Sequence, residues 1–498
     1  MIPLIKKQLL FAVAAALVLP TLSLADDSVT DANARMQQLE KMMQQMQQQR
    51  AEQDQQLQAL SKELMAVQDQ LAQAREGKMA EKGKSTGNPV FAAFKDGLAF
   101  EDSTGNWKLQ INGRIQADYR TYDPTEWKND TFSIRRGRFG GTFSFLKDFA
   151  VRVEGEYAND NTGAKGTTAL TYGYLDYTHW SGAKIRAGQF KPFFGLERTT
   201  STNFTDFTEL SIATNNGSIF TSTYDRGIMV YGDPAPWLNY NAYVVNGTGQ
   251  NNDDVNDSKD IGGRINANFA NLADIKNAVI HVGASASTGN IGFSTSAGNS
   301  ISQVTEANGA TFFSVTALGG HNRADRTRWG LETALAYGPV KFQTEYIDAN
   351  FEGKRVGTAL LTPNNTTIFD NDIKVWYADL NWLVSGESWS DSYKSGVFGR
   401  IRPKHNFGDK DGWGAVELGI RYSKFDASDF KALLPVATAS TALTSEADAW
   451  TAGAKWILNP NARIVLNYTH TRFDTPITIN GKVDDNEDAL VLRAQYDF

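Results

Sequence analysis

The sequence predicts an all-β protein: a transmembrane antiparallel β-barrel of about 16 strands, with an N-terminal α-helical coiled coil. Three observations predict it. The chain ends Leu490-Val491-Leu492-Arg493-Ala494-Gln495-Tyr496-Asp497-Phe498, with apolar side chains at alternate positions and Arg493, Gln495 and Asp497 between them. A period of two gives one apolar and one polar strand face. In a spanning barrel the first meets lipid and the second a wet lumen. Secondly, the same alternation recurs along the chain from about residue 95. Thirdly, no stretch after the N-terminus approaches the roughly 18 to 20 apolar residues of a membrane helix, so a closed barrel is the spanning solution left.

Composition agrees. The 498 residues contain no cysteine, which removes disulfides as a source of stability for an exported protein. Glycine (43) and aromatics (11%) are plentiful and proline (13) is sparse, which suits many strands, tight turns and interfacial girdles. The formal net charge of −7 would by itself repel anions, so the placement of the charges decides.

The first 25 residues read as a signal peptide. Lys6 and Lys7 form the charged region, Leu9 to Leu19 is a short apolar run, and Ser23-Leu24-Ala25 is a small-residue cleavage site. Residues 26–76 read as a periplasmic coiled coil. Met36, Leu39, Met43, Met46, Arg50, Gln53, Leu57, Leu60, Leu64, Val67, Leu71 and Ala74 fill successive a and d positions. Arg50 and Gln53 interrupt the seam, a device that can set register and oligomer state. The coil would be about 60 Å long at ~1.5 Å per residue. Residues 77–94 are a linker, opening with Gly77-Lys78-Met79-Ala80-Glu81-Lys82-Gly83-Lys84.

The barrel spans 95–498. Trp107 to Asp118 alternates without error, and 450–458, 462–471 and 490–498 nearly so. Further strands are expected near 132–145, 149–158, 169–180, 183–190, 226–232, 238–245, 261–269, 277–286, 327–337, 339–347, 373–384 and 413–425, with weaker ones near 311–318 and 397–403. Long loops are expected at 191–224, 246–259, 288–309, 350–371, 426–446 and 474–487. A soluble β-sandwich would need a dry apolar core; here the alternate positions are Lys, Arg, Gln, Asn, Asp and Glu, which suits a water-filled lumen.

The polar phase puts a basic excess on the inner wall, including Arg114, Arg136, Arg138, Lys184 and Arg186, with acids such as Asp118, Glu154, Glu156 and Asp176 among them. Arginine and lysine lining a pore favour anions. The densest cluster is Ile134-Arg135-Arg136-Gly137-Arg138; alternation turns Arg136 and Arg138 inward and Arg135 outward. The five histidines show no paired metal spacing, and no nucleophile elbow, nucleotide loop or metal motif appears, so neither an enzyme nor a cofactor is expected.

Several segments resemble the phosphate-selective porin O and P family. They are Gly113-Arg114-Ile115-Gln116, Arg135-Arg136-Gly137-Arg138-Phe139, Gly188-Gln189-Phe190-Lys191-Pro192-Phe193-Phe194-Gly195-Leu196-Glu197, Asp225-Arg226-Gly227-Ile228-Met229-Val230-Tyr231-Gly232 and the terminal Tyr496-Asp497-Phe498. The resemblance implies a homotrimer of 16-stranded barrels in the bacterial outer membrane. It implies a loop, 191–224, folded into the pore, and anion passage past a constriction. Carried over by position, Arg114, Arg135 and Arg136 would be constriction arginines. Phosphate-specific members share an arginine ladder on one wall; between Thr200 and Asp260 this chain has only Arg226 and Lys259. A general small-solute porin is therefore the alternative to one for small anions such as phosphate or polyphosphate. A second alternative is an envelope tether acting through the coil on peptidoglycan or a periplasmic partner. Outer-membrane lipid and lipopolysaccharide would be further partners, and nucleic acid none.

Overall fold

The computed structural model describes residues 89–94, 97–158, 168–254, 257–292, 301–315, 323–356 and 366–498. The expected signal peptide, the coiled coil and all but the end of the linker lie outside the described residues.

Sixteen strands form the wall. They are β1 (Trp107–Asp123), β2 (Thr131–Phe145), β3 (Phe149–Glu156), β4 (Ala169–Tyr177), β5 (Lys184–Phe190) and β6 (Asp225–Ala235). Next come β7 (Leu238–Val245), β8 (Asp260–Asn268), β9 (Ala278–Gly292), β10 (Arg323–Tyr337) and β11 (Val340–Val356). The last are β12 (Thr366–Leu383), β13 (Ala415–Asp426), β14 (Glu446–Asn459), β15 (Ala462–Ile479) and β16 (Lys482–Asp497). Each pairs antiparallel with the next. β16 pairs with β1, from Asp488 opposite Asp123 to Asp497 opposite Arg114, so the sheet closes without an edge. Phe498 completes the seam by exchanging two backbone hydrogen bonds with Gly113, each 3.0 Å. Before the wall, Val90–Phe94 pairs with Leu98–Asp102, which in turn pairs with β1.

The faces are inverted relative to a soluble sheet. On β13, Leu418 and Ile420 are 43% and 46% exposed whereas Arg421 is 1% exposed. Leu490, Leu492 and Tyr496 likewise face outward while Arg493 and Gln495 are buried inside. No helix among the described residues could cross a membrane, and the strands do so instead.

The expected strands all appear, mostly longer than the alternation suggested. Residues 474–487 were expected to be a long loop and are not. β15 and β16 continue through them and turn at Asn480-Gly481, where both φ angles are positive (53° and 81°). That dipeptide suits a two-residue hairpin turn. The two weaker segments are strands but lie outside the wall. Thr311–Val315 pairs with Ile301–Val304, and Val397–Phe398 pairs with Tyr393–Lys394.

Three connections fold into the lumen. In loop 191–224, Phe194, Ile212, Ile219 and Phe220 are buried; in hairpin 301–315, Ile301, Phe312 and Phe313 are. Both pack with Phe351, Phe425 and Phe473 of the wall. From the opposite rim, segment 384–414 brings Trp389, Phe398 and Ile401 against Leu196. These cores sit inside the barrel and narrow it.

Candidate functional site: a basic cavity beneath the inserted loop

Loop 191–224 is pinned across the lumen. Its first fixed point is Gly195, at φ 68°, where a Cβ would come within 2.2 Å of Glu345 Oε2. Glycine alone fits there. The next two amides, of Leu196 and Glu197, donate to the Glu345 carboxylate at 2.9 and 2.6 Å. Farther along, Asp206 pairs with Lys341 at 2.6 Å, and the Thr208 amide donates to Asn467 at 2.8 Å. Glu197 accepts from Arg421 at 2.9 Å, and the same guanidinium reaches Glu306 of the hairpin at 2.8 Å.

Between this loop and strands β1 and β2 lies a cavity of about 510 Å³. Arg114, Lys128, Arg135, Arg136, Arg138, Lys191 and Arg198 line it, and Glu209 is the one carboxylate of its wall. Of the residues expected at a constriction, the structure therefore brings Arg114, Arg135, Arg136 and Arg138 together. Lys184 and Arg186 are not there. Arg186 lies lower on β5, held by Asp176 through two 2.8 Å bonds and stacked 3.8 Å from the Tyr174 ring. Lys184 sits beside Tyr231.

The inward position of Arg135 corrects the strict alternation. Gln116 pairs with Arg136 but the adjacent Ala117 pairs with Ile134, so Arg135 is the extra residue of a β-bulge. The bulge turns both Arg135 and Arg136 inward. Arg135 then grips Glu209 bidentately, Nε to Oε1 at 2.6 Å and Nη2 to Oε2 at 2.9 Å. Burial alone would raise the Glu209 pKa. The guanidiniums of Arg135, Arg120, Arg136 and Arg493 instead hold it well below the usual carboxylate range.

The cations differ in what compensates them. Arg138 is bound to Glu156 at 2.7 Å and, like Arg135, has a carboxylate in contact. Arg136 instead donates to the Gln116 amide oxygen at 2.8 Å, and Glu209 is 3.7 Å away. Arg114 donates to the Thr202 hydroxyl at 2.7 Å, with Glu154 at 3.8 Å. Lys191 donates to the Thr200 carbonyl at 2.9 Å, and no carboxylate pairs with it among the described residues. Burial, then Arg198, Arg138, Arg114 and Arg136, push its pKa well below the ordinary lysine value. Burial, then Arg328 and Arg326, lower Arg198 to about 9. Three side chains, Arg114, Arg136 and Lys191, thus face the cavity with neutral partners nearest them. Lys128, Lys191 and Arg198 were not expected from the sequence. They lie in connections, where no alternation marks the inward side.

The sequence profile of one family, phosphate-selective porin O and P, matches residues 109–498, all of the barrel wall but its first two residues. The chain belongs to that family. It is an outer-membrane porin, a channel and not an enzyme. This porin is 26% identical to Porin O of Pseudomonas aeruginosa over 436 residues, 83% of this chain and 93% of that protein. Among solved structures, it resembles the outer-membrane channel DcaP of Acinetobacter baumannii at 12% identity and a TM-score of 0.48, covering 82% of this chain and all of that one. It also resembles the trimer form of OmpT of Vibrio cholerae at 10% identity and a TM-score of 0.46, covering 79% and 99%. In the orientation usual for such barrels, the rim where β1 starts and β16 ends is periplasmic; segment 384–414 lies at that rim, and loop 191–224 enters from the outer one.

Proposed function

We propose that this porin is a passive channel for small anions, phosphate among them, and that the cavity beneath loop 191–224 is its selective constriction. One observation carries the reading: seven cationic side chains and one carboxylate line a single cavity in the lumen. Fixed donors and an excess of positive charge in a low-dielectric passage lower the energy of an anion there and raise that of a cation. Arg114, Arg136 and Lys191 contribute most, because their nearest partners are neutral. Arg135 and Arg138 shape the site through their bound carboxylates. Guanidinium forks suit an oxyanion's paired oxygens, which favours phosphate over chloride at close range.

The test is the zero-current potential of the purified protein in a planar bilayer under a KCl gradient, with phosphate then added. We expect a chloride-favouring potential, a chloride current reduced by phosphate, and a potential moved toward neutral by Arg136→Ala. A potassium-favouring potential would overturn the anion reading and leave a general small-solute porin. Chloride preference untouched by phosphate would leave an anion channel without phosphate selectivity.

Family membership also supports a homotrimer with lipid and lipopolysaccharide around its apolar band; sedimentation of the detergent-solubilised protein as a monomer would refute the trimer. For the proposed periplasmic coil at 26–76, deletion of 31–76 is expected to leave conductance intact. If a tether to peptidoglycan is the coil's role, the deletion removes co-sedimentation with cell-wall sacculi.

A further inference from the structure

A second cavity, of about 290 Å³, opens at the periplasmic rim between the β6–β7 turn, the end of β8 and the hairpin at 393–398. Its chemistry is opposite to that of the arginine site. The wall is made of side-chain amides, Asn239, Asn266 and Asn271, with the rings of Trp237 and Tyr393, and its charges are one carboxylate, Asp233, and one lysine, Lys394. A fourth amide, Asn268, is already committed: its oxygen accepts from the Ala270 and Ile280 amides, both at 3.1 Å.

The amides form an ordered chain. Asn266 donates to the Asn239 oxygen at 3.2 Å, and Asn239 donates to Asp233 at 2.9 Å. Ser395 of the hairpin donates to the other Asp233 oxygen at 3.1 Å. Asn271 donates to the Pro236 carbonyl at 3.3 Å. The amide oxygens of Asn266 and Asn271 receive no protein hydrogen bond among the described residues. Tyr393 is fixed from behind by His281, 2.6 Å from its hydroxyl, and His281 by Glu332 at 2.8 Å. The groups are therefore held in place before any ligand arrives, which lowers the cost of binding.

Charge narrows the ligand. Asp233 and Lys394 balance formally, so the lining favours neither an anion nor a cation, and one carboxylate beside a lysine offers too few hard oxygens for a divalent cation. An amide both donates and accepts, as a sugar hydroxyl does, and an aromatic face covers the apolar side of a pyranose ring. The volume is near the lower end of the range for small-ligand sites, roughly 300–1,000 Å³. We propose that this cavity binds a neutral saccharide, one ring at a time, at the periplasmic mouth. The same chemistry serves two sources: the glycan of the cell wall, or a free sugar in the periplasm.

The test uses the full-length protein in detergent and in planar bilayers. The probes are tri-N-acetylchitotriose, for a wall-type N-acetylated glycan, and maltotriose, for a free glucose oligomer. Saturation-transfer NMR reads binding, and ion-current noise reads the side of entry. We expect saturation transfer to at least one probe and current noise when that probe is added on the periplasmic side. Asn239→Ala and Trp237→Ala should each weaken binding about tenfold, the equivalent of ~1.4 kcal/mol. Both variants should keep the wild-type reversal potential in KCl, which shows the barrel and arginine cavity intact. Preference for chitotriose assigns the wall glycan, and preference for maltotriose a free sugar. Absence of transfer from both probes to the wild type overturns the proposal, as does equal binding by wild type and both variants.

Discussion

Arg135 and Glu209 form a bidentate pair across the lumen, from a bulge in β2 to the loop that crosses the barrel. Arg120 and Arg493 converge on the same carboxylate, so Glu209 is the hub on which the basic side of the pore is assembled. Without it, several guanidiniums would repel one another in a space largely shielded from water. The pair thus joins positioning to selectivity.

Glu209→Gln tests both roles. The amide keeps the shape but removes the one carboxylate of the cavity wall, leaving buried arginines unpaired. Losing one member of a buried ion pair costs about 3–5 kcal/mol. We expect a lower thermal midpoint of the detergent-solubilised barrel by circular dichroism, with a reversal potential more chloride-favouring than wild type. An unchanged midpoint would show that Glu209 does not organise the loop.

Arg186→Ala should behave differently from Arg136→Ala. Both residues are inward-facing arginines near the same wall, and the sequence alone does not separate them. Arg186 is neutralised by Asp176 and does not line the cavity, whereas the nearest partner of Arg136 is an amide. Under a KCl gradient we expect Arg186→Ala to keep most of the wild-type potential and Arg136→Ala to lose most of its anion preference. Equal losses would mean that selectivity is spread along the wall.

This contrast marks how far the sequence could be read. Period-two alternation reveals the strands because lipid and lumen impose opposite chemistries on successive residues, and it places Arg114, Arg136 and Arg138 inward. It fails at Arg135, where one inserted residue shifts the phase. It passes over Asn480-Gly481, a turn signal inside a polar stretch that reads as loop. It does not reveal that hairpin 301–315 or segment 384–414 folds inward. Those placements depend on distant partners, such as Glu306 with Arg421, 115 residues away. Lys191 and Arg198 escape for the same reason, since a loop has no periodicity to mark its inner side.

Selectivity should fall at alkaline pH. Lys191 is pushed well below the ordinary lysine range and Arg198 to about 9. Raising the pH through the Arg198 value, and through the depressed range of Lys191, removes positive charge from the cavity, so chloride preference should decline as the medium becomes alkaline. The stability effect has the opposite sign. Each group binds its proton less tightly folded than unfolded, so the unfolded chain holds more protons in this window and folding is favoured as pH rises. Lys191→Met should flatten part of the titration of reversal potential. A titration identical to wild type would remove Lys191 from the selective site.

The two inserted segments are coupled through one side chain. Arg421, 1% exposed on β13, donates to Glu197 of the crossing loop at 2.9 Å and to Glu306 of the hairpin at 2.8 Å. It also reaches the Glu209 carbonyl at 3.2 Å. Ser423 and Thr451 hold Glu306 as well, so the hairpin keeps some anchorage without the arginine. The loop does not lose all its ties either, because Lys341 still holds Asp206 and Glu345 still caps the turn at Leu196. Arg421→Met therefore leaves two buried carboxylates short of their counter-charge, with the barrel wall intact, at a cost of about 3–5 kcal/mol. That strain falls on the loop, not on the strands. We expect the variant to assemble, to conduct with larger and noisier single-channel currents, and to discriminate less between chloride and potassium. Quiet wild-type currents would show that the wall contacts alone hold the constriction closed to that width.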